Sequence, residues 1–146
     1  MKGIKMKNCR FYVDEPARTV VCVIPYTRDM VSDFIAENCV YGDMNFWTGS
    51  GFNLDKKIRM PNSFMGKAVC APEDEWNEDT GKLIAFSRAK DKCYKSFFKR
   101  ANLFVQTVDR RLGDMIESFN DFGLKLEDKR EGLQQKINEK IHLEEE

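Results

Sequence analysis

The sequence predicts an α+β fold: a small antiparallel sheet of three or four strands, one short helix, and a long C-terminal helical arm or helical hairpin. Three observations carry this. Residues 9–26 hold two β-rich runs separated by turn chemistry, and two further short runs precede residue 72. From Thr80 to His142 there is no proline, and apolar residues recur at steps of three and four. The whole chain is 146 residues, 42% apolar and 33% charged, which suits one globular domain. That domain would be mainly strands plus one helix over 1–72 and helical over 73–142.

The first run is Cys9-Arg10-Phe11-Tyr12-Val13 and the second Thr19-Val20-Val21-Cys22-Val23-Ile24. Between them Asp14-Glu15-Pro16-Ala17-Arg18 reads as a turn, since proline fixes φ and removes a donor. The second run lacks polar alternation, which predicts a central strand covered on both faces. Pro25 ends it. Thr27 is placed to cap a helix whose Met30, Val31, Phe34 and Ile35 share one face, with Asp29 near its positive end. Gly42 to Asn53 reads as a loop with aromatic anchors (Phe46, Trp47 and Phe52). Lys57-Ile58-Arg59-Met60 and Gly66-Lys67-Ala68-Val69-Cys70 read as strands joined by a Pro61-Asn62-Ser63 turn, the first with a basic exposed face.

In the C-terminal half the apolar seam runs Ala101, Phe104, Val108, Leu112, Met115, Phe119, Phe122, Leu126, then resumes at Leu133, Ile137 and Ile141. Gly113, Gly123 and Gly132 lie inside it, and each costs a helix about 1 kcal/mol relative to alanine. Two or three helices are therefore expected as readily as one, with Phe122-Gly123 the favoured break. The seam from 101 to 126 suits either an intramolecular hairpin or a homo-oligomer.

Charge bounds the function. Lys plus Arg and Asp plus Glu each total 24, so no overall field draws the chain to nucleic acid or membrane. The distribution is uneven. Between Lys82 and Arg111 there are nine basic residues against two acidic ones. Arg88, Lys92, Lys95 and Lys99 advance by four, three and four along one helical face, and Arg110 extends the line. Such a stripe has the geometry to follow a phosphate backbone, though a solvated lysine face is the commoner meaning. Upstream, Glu73, Asp74, Glu75, Glu78 and Asp79 form an acidic cluster with no base among them, able to pair with the stripe or to meet a basic partner surface.

Catalytic patterns are scarce. His142 is the one histidine, at the end of the helical run, which disfavours any His-based relay. Neither GxGxxG nor GxxxxGK[ST] occurs. Cys9, Cys22, Cys39, Cys70 and Cys93 lack the paired spacing of zinc ligands and are odd in number, so buried thiols in a reducing cytoplasm are expected. No cofactor or metal is predicted. A metal-dependent hydrolase using Glu73, Asp74 and Glu78 is the enzyme alternative. The sequence shows neither a secretion signal nor an apolar run long enough to span a bilayer, so no membrane partner is expected.

One stretch, Gly66 to Ala89, follows the pattern G-x-A-x-C-x-P-x-D, an acidic spacer with an aromatic, then G-x-x-x-A-x-x-R-A. It resembles small phage and prophage accessory proteins. Physically it describes a strand ending at Cys70, a turn at Pro72, and a helix whose Gly81, Ala85 and Ala89 allow close approach to the sheet, with Arg88 cross-linking the corner. The resemblance implies a non-enzymatic protein of the anti-defence, even anti-CRISPR, type that inhibits or adapts a host protein or ribonucleoprotein complex handling nucleic acid. The contacts expected on that reading are the basic stripe and the acidic cluster; direct DNA or RNA binding along the stripe and a structural oligomer are the alternatives.

Overall fold

The structure, a computed structural model, describes residues 3–38 and 54–145. After a single 3-10 turn at Met6–Asn8 come strands β1 (Arg10–Asp14) and β2 (Thr19–Pro25), helix α1 (Met30–Asn38), the short helix α2 (Leu54–Ile58), strand β3 (Ser63–Val69) and helix α3 (Glu78–Glu145). The α+β fold is as the sequence predicts, with three strands in the antiparallel order β1-β2-β3. The chain clusters into two compact units, Met1–Thr107 and Val108–Glu146. The expected change of character at residues 72/73 falls inside the first unit. The expected aromatic loop at 42–53 lies outside the described residues. No described helix is long and apolar enough to cross a membrane.

The β1–β2 turn forms as its residues dictate: the Asp14 carboxylate accepts the Ala17 N–H (3.1 Å) and Arg18 takes a left-handed φ of 52°. β2 is the central strand, but it is covered on one face only. Val20, Cys22 and Ile24 are buried while Val21 and Val23 remain half-buried. The continuous apolar run concealed this, because a strand at the centre of a single helix layer needs burial on only one side.

Four readings need correction. Thr27 does not cap α1: it is buried, its hydroxyl donates to the Pro61 carbonyl, and the helix starts at Met30. Residues 57–60 form no strand; Leu54–Ile58 is helical, and Ile58 and Met60 are both buried. β3 begins at Ser63, taking up what reads as the end of a turn. Helix α3 runs unbroken through Gly113, Gly123 and Gly132, where an added Cβ would meet nothing within 4 Å. Those glycines weaken the helix without ending it, each costing about 1 kcal/mol relative to alanine.

The start of α3 is set by Asn77, whose side-chain oxygen accepts the Thr80 N–H (2.9 Å), with Glu78 and Asp79 in the first turn favoured by the helix dipole. Its buried face (Ala85, Ala89, Cys93, Phe97, Ala101 and Phe104) covers the sheet side carrying Val20, Cys22 and Ala68, together with Val31 and Ile35 of α1. Phe34 meets Phe97 edge-on at 5.7 Å between centroids. The small residues do bring helix and sheet together. A Cβ on Gly66 would lie 2.0 Å from the Ala85 oxygen and 2.4 Å from the Ala89 nitrogen.

Candidate interaction surfaces

The basic stripe divides according to what its members touch. Arg88 Nη1 donates to the Lys67 carbonyl (2.7 Å) and Lys92 Nζ to the Met65 carbonyl (2.9 Å), both on the edge strand β3. An edge strand presents unpaired carbonyls, and these two cations occupy them. Arg88 therefore cross-links the corner. Arg100, outside the four-residue line, acts similarly by donating from Nε to the Arg59 carbonyl (3.0 Å) and from Nη1 to Ser96. Lys95 pairs with Asp91 at 2.8 Å. Lys99 and Arg110 are exposed and enter no ion pair among the described residues. Of the five stripe residues, two brace the sheet, one is paired within the helix, and two face solvent with their charge available.

The acidic cluster is also partly committed. Glu78 pairs with Lys82 (2.9 Å), which holds the Lys82 ammonium above its ordinary pKa. Glu73, Asp74 and Glu75 are exposed on the turn before α3. Sequence reasoning missed what fixes that turn. The Arg18 guanidinium crosses from the β1–β2 turn and donates to the Ala71 carbonyl (2.9 Å), to the Asp74 carbonyl, and to the Cys70 sulfur (3.0 Å). Its own backbone oxygen accepts from Cys70 N–H (2.8 Å). Nothing local to Arg18 signals these long-range acceptors. Among the described residues no ion pair joins the cluster to the stripe; Lys82, which holds Glu78, lies outside the stripe. Among the described residues no group of three His, Cys, Asp or Glu side chains could hold a metal ion, so Glu73, Asp74 and Glu78 do not converge.

Of the four described cysteines, Cys22 and Cys93 are buried and Cys9 and Cys70 half-buried, all as free thiols. Burial pushes Cys93 up to about 11. Burial, reinforced by the neighbouring Cys9, pushes Cys22 up to about 12. Neither thiol is a nucleophile at neutral pH, since the thiolate is the reactive species.

Two apolar surfaces remain. The first is the outer face of the sheet. Its register aligns Arg10, Val23 and Met65 in one row, Tyr12, Val21 and Lys67 in the next, and Asp14, Thr19 and Val69 in the third. Tyr12, Met65 and Val69 are 58, 58 and 60% exposed. An apolar centre of tyrosine, valines and methionine thus lies open, with Arg10, Lys67 and Asp14 around it. Sequence patterning could have found it, because Tyr12, Val21, Val23, Met65 and Val69 lie out of phase with the buried residues of their strands and so share the other face. The second is on residues 108–145. Ala101 and Phe104 of the predicted seam are buried in the first unit, whereas Leu112, Met115, Phe119, Phe122 and Leu126 are all exposed.

The chain matches no protein-family model, no curated protein and no solved structure.

Proposed function

We propose that this chain is a non-enzymatic accessory protein that binds a protein partner through the open face of its sheet. The observation that carries the reading is that face: Tyr12, Val21, Val23, Met65 and Val69 present bulky apolar groups together, ringed by Arg10, Asp14 and Lys67. Apolar centres with a polar rim, and tyrosine and methionine within them, are what protein interfaces use. The class of partner, a host complex that handles nucleic acid, follows from the resemblance of Gly66–Ala89 to phage accessory proteins. A second reading, direct nucleic-acid binding, is favoured by the available charges of Lys99 and Arg110.

Affinity capture tests both. The tagged chain, a Met65→Lys/Val69→Lys variant and a Lys99→Glu/Arg110→Glu variant are each used to capture partners from bacterial lysate, with and without nuclease. A protein retained after digestion by the native chain and the Lys99→Glu/Arg110→Glu variant, and lost by the sheet-face variant, supports the first reading. Retention of nucleic acid alone, lost on digestion and on reversal of Lys99 and Arg110, replaces it with the second. All four substituted positions carry exposed side chains, so folding is checked by comparing melting curves.

A further inference from the structure

The segment Val108–Glu146 forms its own unit, and helix α3 covers it to Glu145. At roughly 100° per residue its large apolar side chains fall into one stripe. Leu112, Met115, Phe119, Phe122 and Leu126 advance by three, four, three and four; Leu133, Ile137 and Ile141 follow. All eight are exposed, Phe119 at 74%. Leu124 and Leu143 lie off the stripe. The pattern repeats every eleven residues, Met115 to Leu126 to Ile137 and Phe122 to Leu133. Eleven residues close to three full turns, so the stripe drifts only slowly around the helix, in the sense of a shallow right-handed supercoil. A lone helix with three glycines draws its stability in water from packing an apolar face, and this face has nothing packed on it.

Charge says what covers it. One border of the stripe carries Arg111, Lys125, Lys129, Lys136 and Lys140 with no acid. The other carries Asp109, Glu127 and Glu145, with Asn120, Gln134 and Asn138 between them; beside it Arg130 takes the seam position between Leu126 and Leu133 and pairs with Glu127. Such segregation disfavours a membrane surface or a phosphate backbone, since either calls for cations on both sides of the buried stripe. It suits a second copy of the same helix. In a parallel pair related by a two-fold axis along the helices, each border meets the opposite border of the partner: Asp109 lies near the level of Arg111, Glu127 between Lys125 and Lys129, and the neutral Gln134 and Asn138 beside Lys136 and Lys140. In an antiparallel pair each border meets its own kind. Register is set by the same groups: Glu127 of one copy lies about 3 Å along the axis from the level of Lys125 and Lys129 of the other. Glu127 also pairs with Arg130 on its own helix, and its side chain stays half exposed.

We propose that residues 108–145 form a parallel two-stranded homodimer through this stripe. The proposal is independent of the sheet-face reading and concerns the second unit alone. Analytical ultracentrifugation of the full chain should give twice the 17.0 kDa of one copy. Phe119→Asp should weaken association by about 100-fold or more, because a carboxylate replaces a buried ring. Glu127→Lys sets cation against cation at two symmetric places and should weaken it roughly 5- to 20-fold, with Lys125→Glu/Lys129→Glu restoring it in the combined variant. Ile141→Cys should yield, on mild oxidation, a peptide linking position 141 of both copies. A monomer at 100-fold the concentration used for capture overturns the proposal, as does a dimer indifferent to Phe119→Asp. A dimer tightened by Glu127→Lys and lacking the 141–141 link is antiparallel and also overturns it.

Discussion

Gly66→Ala is the sharpest test of how the first unit is built. An alanine Cβ at this point of β3 would stand 2.0 Å from the Ala85 oxygen and 2.4 Å from the Ala89 nitrogen, where ordinary contact begins at 3.4 Å. Both opposing atoms are helix backbone, so neither can turn aside; α3 as a whole must lift by about 1.4 Å for the first contact alone. Lifting separates Ala85, Ala89 and Cys93 from Val20, Cys22 and Ala68, and it stretches the Arg88–Lys67 and Lys92–Met65 hydrogen bonds. Overpacking costs typically 1–3 kcal/mol, and a backbone clash belongs at the upper end, so about 3 kcal/mol is expected. At about 4–8 °C per kcal/mol for a unit near 100 residues, the melting midpoint should fall by about 12–24 °C. The assay is urea and thermal unfolding followed by tryptophan fluorescence. Gly81→Ala is the comparison: its Cβ would meet the Val20 Cγ2 at 2.8 Å and Cβ at 3.6 Å, a buried β-branched side chain that must give way, while alanine favours the helix by about 1 kcal/mol and offsets part of that cost. It should lose less stability than Gly66→Ala in the same assay. A Gly66→Ala loss below 1 kcal/mol would refute the close-packing argument.

Arg18→Ala removes the donor shared by Ala71, Asp74 and Cys70 and leaves those acceptors without it; about 2–3 kcal/mol of stability should be lost in urea titration, with little recovered by Arg18→Lys, which lacks the planar fork. Gly123→Ala places a methyl in open space and should raise helical ellipticity, gaining up to about 1 kcal/mol, where a break at Phe122-Gly123 would have made it neutral or harmful. Stability should decline in alkaline solution: the Cys93 and Cys22 thiols ionise near 9.0 when unfolded but near 11 and 12 when folded, so their contribution is whole below pH 9 and is lost as pH rises through that window. Guanidinium titrations at pH 8, 9.5 and 10.5 would show the fall, and Cys93→Ala should shrink it.

What the sequence revealed and what it hid follow one physical division. The β1–β2 hairpin was legible because its turn is local: Asp14, Pro16 and Ala17 specify it within five residues. The close approach of α3 was legible because Gly81, Ala85 and Ala89 are small at a helical step of four. Residues 57–60 misled because apolar Ile58 and Met60, two apart, satisfy a strand period as well as the end of a short helix entering a core. Thr27 misled because its hydroxyl serves Pro61, 34 residues away in sequence. Arg18 gave no signal for the same reason, its acceptors lying 52 to 56 residues distant. Local chemistry can be read along the chain; an acceptor supplied by another element cannot.

The basic stripe shows the consequence for function. Spacing of four, three and four correctly puts Arg88, Lys92, Lys95 and Lys99 on one helical face, yet spacing carries no information about what stands opposite each position. Arg88 and Lys92 face the carbonyls of an edge strand and quiet it, a structural duty that has nothing to do with phosphate. Lys99 faces solvent. Reversing all four charges at once therefore confounds two effects, because glutamates at 88 and 92 would set carboxylates against the Lys67 and Met65 oxygens and loosen the corner. An activity lost in that quadruple variant would say nothing about a nucleic-acid contact. The informative pair is Lys99→Glu with Arg110→Glu, which alters the available charge and leaves every bracing hydrogen bond in place.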